Sequence, residues 1–299
     1  MTNKIILSIC IPTYNRAEIL DQTLLKLFSN PDFDKNKVEV IVSNNASKDN
    51  TDEVVLKYPE VKYYKNSENI RDKNYSLVLG YATGRYLKLF NDTLEFKPQA
   101  LKKIIDIIEK NDEKENLFFY ANLFTNFNCK KKIESNKELI NEVSYFTTWI
   151  LNFGVWREDF KKIENKDRYA KLQFAHVDWT YKLIKNGKNT IIYFEDLFNV
   201  VIPKKKGGYN IFNTFLNNYL HIIKLEKLPR LTYEREKYRL FKHFVYPWSI
   251  TLLITDIEKF NFEIEGFYKI IFRKYWYTPY FYFYQLLFFL KKFKNETLL

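Results

Sequence analysis

The chain is 299 residues long, 46% hydrophobic and 28% charged, with 7 glycines and 8 prolines, a composition that excludes disorder, fibrous repeats and low complexity. Two cysteines, Cys10 and Cys129, exclude a disulfide framework and fit a reducing compartment. The formal net charge of +12 is uneven: residues 201–299 hold 17 Lys and Arg against 8 Asp and Glu, together with 26 of the 55 aromatic residues, which points that last third at an anionic surface, membrane or nucleic acid.

In chain order, residues 5–11 form a buried-type strand that runs into the polar turn Pro12-Thr13-Tyr14-Asn15-Arg16 and then into a helix. Asn15 with Glu18 three residues on reads as a capping box, and Leu20, Leu24, Leu27 and Phe28 recur at helical spacing. A second strand, 38–42, ends in the polar run Ser43-Asn44-Asn45-Ala46-Ser47-Lys48-Asp49-Asn50-Thr51. Strand 61–65, helix 73–82 stopped by Gly84, strand 85–90 and a helix opened by Pro98 follow. This alternation predicts an α/β fold with a mostly parallel sheet covered by helices, whose ligands bind at the carboxyl ends of the strands. Residues 117–124 read as a strand and the charged stretch 130–138 as an exposed loop. A helix over 174–184 ending at Gly187 and strands 189–194 and 197–202 complete this part. After Pro203-Lys204-Lys205-Lys206-Gly207-Gly208 the strands are expected to stop, leaving helices at about 210–228, 233–259 and 266–293. The first apolar run is too short for a secretory signal and lacks a cleavage pattern, so the expectation is a cytoplasmic protein.

The run Ser8-Ile9-Cys10-Ile11-Pro12-Thr13-Tyr14-Asn15-Arg16, followed by Val42-Ser43-Asn44-Asn45-Ala46-Ser47-Lys48-Asp49-Asn50-Thr51, resembles the start of family 2 glycosyltransferases with the GT-A fold, and is similar to the abequosyltransferase-type branch that builds bacterial surface polysaccharides. The likeness spans about residues 5–95, resumes at 174–208 and is absent from the tail. It implies a GT-A domain over 1–208 and a helical, basic and aromatic region over 209–299. It also implies inverting transfer of a sugar from a nucleotide-sugar donor to a hydroxyl of a glycan or lipid-linked acceptor, such as a growing lipopolysaccharide or capsule.

Carried over residue by residue, the resemblance implies donor contacts from Pro12, Thr13, Tyr14 and Arg16, with Asn44 where the family's base-reading acid stands. An amide there keeps a donor and an acceptor but brings no charge. Asn69, Arg71 and Asn74 match the family's donor loop, shortened and without its glycine. In Asn91-Asp92-Thr93 only Asp92 remains of the Asp-x-Asp motif that holds a divalent cation; weak Mn²⁺ or Mg²⁺ binding through Asp92 and metal independence both stay open. Lys204, Lys205 and Lys206, on a glycine-permitted loop, supply compensating charge for a diphosphate. Phe174-Ala175-His176-Val177-Asp178-Trp179 resembles the helix start that carries the catalytic carboxylate, with Asp178 as general base and His176 and Trp179 as acceptor contacts.

The run from Tyr275 to Leu290, interrupted by Pro279 and Gln285 and followed by Lys291, Lys292 and Lys294, is too short to span a bilayer and predicts peripheral contact with the inner face of the cell membrane. The same aromatics would also serve a helical core or a homo-oligomer interface. No zinc spacing or recognition-helix pattern accompanies them, so nucleic acid is not the expected partner. The missing acids at Asn44 and Asn91 motivate one alternative, a non-catalytic GT-A protein acting as a membrane-associated assembly partner.

Overall fold

The computed structural model describes residues 5–121, 127–201, 206–255 and 260–296. The chain divides into two compact units, Met1–Val201 and Ile202–Leu299.

The first unit opens β1 (Leu7–Thr13), α1 (Ala17–Phe28), β2 (Val38–Asn44), α2 (Thr51–Leu56), β3 (Val61–Lys65), α3 (Lys73–Gly80), β4 (Tyr86–Leu89), β5 (Leu94–Phe96), α4 (Ala100–Asn111) and β6 (Asn116–Tyr120). It continues with β7 (Cys129–Ile133), α5 (Asn136–Val143), β8 (Gly154–Trp156), α6 (Arg157–Lys162), α7 (Ala175–Ile184), β9 (Thr190–Phe194) and β10 (Phe198–Val200). The main sheet has the order β3-β2-β1-β4-β8, parallel through its first four strands, with β8 antiparallel at one edge. Its central strands are buried on both faces, which is why their sequences read as near-continuous apolar runs. The strand order reverses between β1 and β4, and their carboxyl ends, Thr13 and the segment after Leu89, flank that switch point where open α/β sheets place ligands. A second sheet, β6-β9-β7, and the pair β10-β5 extend the fold.

Several expectations change. The capping box at Asn15 does not form: Asn15 adopts φ 51°, and its Oδ1 accepts instead from the Lys48 backbone N–H across the gap to the next loop. Asp49 Oδ2 accepts from the Ala17 N–H at 2.9 Å, supplying the start of α1 from outside. The stretch 130–138 is not a loop: Lys130, Lys131 and Lys132 lie on the solvated edge strand β7, paired with β9, and Ser135 caps α5 through the Glu138 N–H. Gly84 does not end a helix. A Cβ there would lie 2.5 Å from Ser8 Oγ, so glycine is required by the close approach of β1.

Lys88 on β4 is fully buried. Its ammonium donates to the Leu151 carbonyl at 2.5 Å and lies over the Phe119 and Phe198 rings at 5.5 and 5.6 Å, with burial pushing its pKa from 10.5 down to about 7. The folded state therefore binds fewer protons than the unfolded state above neutrality, and the penalty of burying the charge is complete below pH 7 and relieved as pH rises toward 10.5. Lys88→Met is expected to raise stability at pH 6 by about 1–4 kcal/mol and to remove the upward slope of melting temperature with pH above 7. A melting-temperature series against pH on both proteins checks this; an unchanged slope would mean that Lys88 is not the group responsible.

The second unit is not purely helical. β11 (Lys206–Asn210) pairs in parallel with β12 (Phe260–Glu263), beside helical runs at 211–225 and 230–255 and helices Phe267–Tyr275 and Pro279–Glu296. The single long helix expected over 266–293 is thus broken before Pro279. Among the described residues no helix is long and apolar enough to cross a membrane.

Candidate functional site

The loops after β1 and β2 are stitched together at the carboxyl edge of the sheet. The Asn15 backbone N–H donates to Ser47 Oγ at 2.8 Å, and Asp49 Oδ1 accepts from both the N–H and the hydroxyl of Thr51. Asn15 at φ 51° and Ala46 at φ 60° show how sharply both loops turn. Asp49, which joins α1 to α2 across this edge, was not singled out in the sequence. Its signal was the Asp-x-Thr spacing at the end of a polar loop, where a short acid favours capping.

At the end of β1, Thr13 is buried while Tyr14 and Arg16 are exposed and Pro12 is half-buried. Thr13 Oγ1 donates to Asp92 Oδ2 at 2.9 Å, and Arg16 donates to Asp92 Oδ1 at 2.8 Å. The Asp92 carbonyl accepts from Thr23 of α1 at 2.8 Å. Thr13, Arg16 and Asp92 are therefore one cluster at the switch point, with Asn91 half-buried beside it. Each Asp92 oxygen already accepts from a protein donor, one of them the Arg16 guanidinium, so a divalent cation here would meet a single carboxylate beside a fixed positive charge. Among the described residues no three His, Cys, Asp or Glu side chains form a metal-holding group.

Asn44 is fully buried and spent inside the protein. Its amide nitrogen donates to Tyr63 at 2.7 Å and Asp52 at 3.1 Å, and its oxygen accepts from the Ser47 N–H at 2.8 Å. The expected reader of a nucleobase thus holds the loop that would surround one, with Asp52 ion-paired to Lys65 on its outer side. Asn74 is likewise buried, exchanging hydrogen bonds with Ser43 and accepting from Asn66. Asn69 accepts from Asn45 and from the Arg71 N–H, and Asn45 accepts from the Ile70 N–H. These asparagines fix the loop that carries Arg71, exposed at φ 53°. Beside it, the Asp72 carboxyl is pushed up to about 7 by burial, with Arg71 opposing.

Helix α7 places the remaining residues. Trp179 is a core residue: its ring is fully buried against Phe153 and Phe160, and its indole N–H donates to the Lys166 carbonyl at 2.8 Å. Asp178, 1% exposed, is ion-paired through one oxygen to Arg168 and through the other to Lys182 at 2.9 Å, and that second oxygen has no hydrogen-bond partner among the described residues. His176, 1% exposed, sets Nε2–H against the Thr148 carbonyl at 2.9 Å. That bond fixes the tautomer and leaves the Nδ1 lone pair, for which the described residues supply no hydrogen-bond partner. Burial pushes the imidazole down to about 4, so it is neutral at physiological pH. The ring stands edge-on to Tyr75 of α3, the helix that the Asn69–Asn74 loop leads into.

Lys204 and Lys205 lie outside the described residues, and Lys206 opens β11 opposite Phe260.

Residues 8–180 match the family model described as glycosyl transferase family 2. The chain is 34% identical over 92 residues to abequosyltransferase RfbV of Salmonella typhimurium, covering 28% of this chain and 27% of that protein. It is 28% identical over 191 residues to chondroitin synthase of Escherichia coli, covering 61% of this chain and 25% of that protein. The chain thus spans about a quarter of the length of these curated relatives. Among solved structures, S. aureus TarS 1-349 in complex with UDP-GlcNAc superposes with a TM-score of 0.57 at 15% identity, over 85% of this chain and 77% of that one. The mannosyltransferase PcManGT from Pyrobaculum calidifontis, in complex with GDP-Man and Mn²⁺, gives a TM-score of 0.56 at 15% identity, over 82% of this chain and 72% of that one. These likenesses show a GT-A fold.

Proposed function

The chain belongs to glycosyl transferase family 2, and from that premise we propose that it transfers a sugar, with inversion, from a nucleoside-diphosphate donor to a hydroxyl of a bacterial surface glycan. The observation that carries this reading is the Thr13–Arg16–Asp92 cluster at the β1/β4 switch point, bordered by two sharply turned loops and the exposed Tyr14. In the reaction the acceptor oxygen bonds to the anomeric carbon as the bond from that carbon to the diphosphate oxygen breaks. The electron pair stays on the departing nucleoside diphosphate, and the hydroxyl proton goes to a base. We assign that base to His176 Nδ1, which like Asp178 Oδ2 has no hydrogen-bond partner among the described residues but belongs to a neutral side chain; Asp178 Oδ2 is ion-paired to Lys182, and we read Asp178 as a positioning residue that holds the 164–168 segment to α7.

The test is turnover. The purified chain, incubated with UDP-, GDP-, dTDP- and CMP-linked sugars, is expected to release nucleotide from one of them above the buffer rate, and faster with glycan acceptor present. A well-folded protein that releases none and binds none would favour the non-catalytic assembly partner.

For the second unit we propose peripheral contact with an anionic bilayer, which would bring a lipid-linked acceptor within reach. Trp276, Phe283, Leu286, Phe289 and Leu290 are all more than half exposed, and a groove of about 470 Å³ between the last two helices is lined by Tyr268, Phe272, Tyr282 and Phe289 with Lys269 at its side. Exposed aromatics beside lysines suit the headgroup region. The chain should sediment with phosphatidylglycerol vesicles and not with phosphatidylcholine ones, and Phe283→Ser with Phe289→Ser should cut that binding at least about fivefold. Equal binding to both vesicles, or a soluble dimer lost in the same double variant, would replace the membrane with a second copy of the chain.

A further inference from the structure

We propose that Arg16 takes the place of the divalent cation in this enzyme, so that the donor's diphosphate is held and its departing charge neutralised without metal. The inference rests on the transferase reading above and deepens it. A metal-dependent site of this kind needs carboxylate oxygens free to bind both cation and protein. Here the motif has contracted to one acid, Asp92, and its two oxygens are taken by Thr13 Oγ1 and by the Arg16 guanidinium. A cation would find this single carboxylate already shared with a guanidinium, whose positive charge opposes its binding.

The exchange is asymmetric in the way that function requires. The Asp92 side chain is 3% exposed and serves as the anchor, whereas the Arg16 side chain is 41% exposed. Arg16 follows the β1 turn at the switch point, in the same strand-end loop as the exposed Tyr14. A guanidinium presents its N–H groups in a planar fork that matches phosphate oxygens while one edge stays bound to a carboxylate. It keeps its charge at every physiological pH, so the built-in cation is always present, at the cost of the Lewis acidity that a metal would bring. Asp92 fixes the fork in direction, and Thr13 and Thr23 fix Asp92.

Calorimetric titration of the full chain with UDP, GDP, dTDP and CDP, in EDTA and in excess Mn²⁺, tests this without relying on turnover. The expected result is that one diphosphate binds with the same affinity in both buffers. Arg16→Ala should weaken that binding about 10–100-fold, and Arg16→Lys should recover part of it as a point charge. Circular dichroism and melting curves establish that the variants fold, and the comparison of EDTA with Mn²⁺ on the unmodified protein needs no variant. Binding at least tenfold tighter in Mn²⁺ than in EDTA, or unchanged in Arg16→Ala, would overturn the substitution of arginine for metal while leaving the transferase reading intact. Binding of none of the four in either buffer would overturn both.

Discussion

His176→Gln should lower kcat by about 10²–10⁴-fold while moving KM little, whereas Asp178→Asn should cost stability and leave kcat per folded molecule within about tenfold of the parent. The glutamine can still donate to the Thr148 carbonyl in place of Nε2–H, so packing at the start of α7 survives and what disappears is the lone pair at Nδ1. Asp178 fails differently. Its carboxylate is 1% exposed between Arg168 and Lys182, and an amide leaves two cations without their counter-charge. Both cations are partly solvated, so the expected loss is about 1–3 kcal/mol, below the range for a fully buried pair. Initial rates against donor and acceptor concentration, normalised to folded protein, separate the two. If Asp178→Asn folds normally but loses a hundredfold in kcat while His176→Gln does not, the base is Asp178 and Arg168 must release it during turnover. The neutral imidazole also carries a stability consequence. Because burial takes His176 from 6.5 down to about 4, its contribution is complete above pH 6.5 and is lost as pH falls from there toward 4.

Glu39→Ala should be the most destabilising single change at the opposite edge of the sheet, by about 3–5 kcal/mol. Glu39 enters β2 buried, and its carboxylate accepts from Ser8 Oγ at 2.6 Å, from the backbone N–H groups of Thr83 and Gly84 at 2.6 and 3.0 Å, and from Lys62 at 2.5 Å. Burial alone would raise its pKa, but Lys62 and the hydrogen bonds from Ser8 and Thr83 outweigh it and hold the group below 4.5. Its stabilisation is therefore present above pH 4.5 and lost as pH falls below that value. Removing it strands two backbone donors and Ser8 at the junction of β1, β2 and the turn before β4. Urea denaturation at pH 7 and pH 4 checks this: the gap between parent and variant should be large at pH 7 and narrower at pH 4. A difference under about 1 kcal/mol at pH 7 would show that water replaces the network.

Much of the α/β unit was legible because its signals are local. The strands β1 and β2 announced themselves by apolar runs ended by polar turns, and α1 by the 3.6-residue period of Leu20, Leu24 and Leu27. The strand β7 was missed because an edge strand that shows Lys130, Lys131 and Lys132 to solvent has the composition of a loop. The β11–β12 pair was missed for another reason. Its partners are separated by about fifty residues of mostly helical chain, and neither short segment carries a period of its own. In the helical tail, aromatics recur so densely that inward and outward positions read alike: Tyr275 and Phe281 are buried, while Trp276 and Tyr282 next to them are exposed.

The site divides along the same line. By itself the sequence determined which residue types stand at the strand ends, that the acid motif had shrunk to Asp92, and that the charge and aromatics collect in the last third, since these are properties of composition and order. Only the tertiary structure decided what each polar side chain does, because a hydrogen-bond partner is chosen by position in space. Asn44 and Asn74 became internal braces, Trp179 became core and Asp178 was ion-paired to two cations. Asp92 was joined to Arg16 across 76 residues of sequence. In each case a buried polar group had to be satisfied, and the donors that satisfy it arrive from segments brought together only by the order of the strands in the sheet.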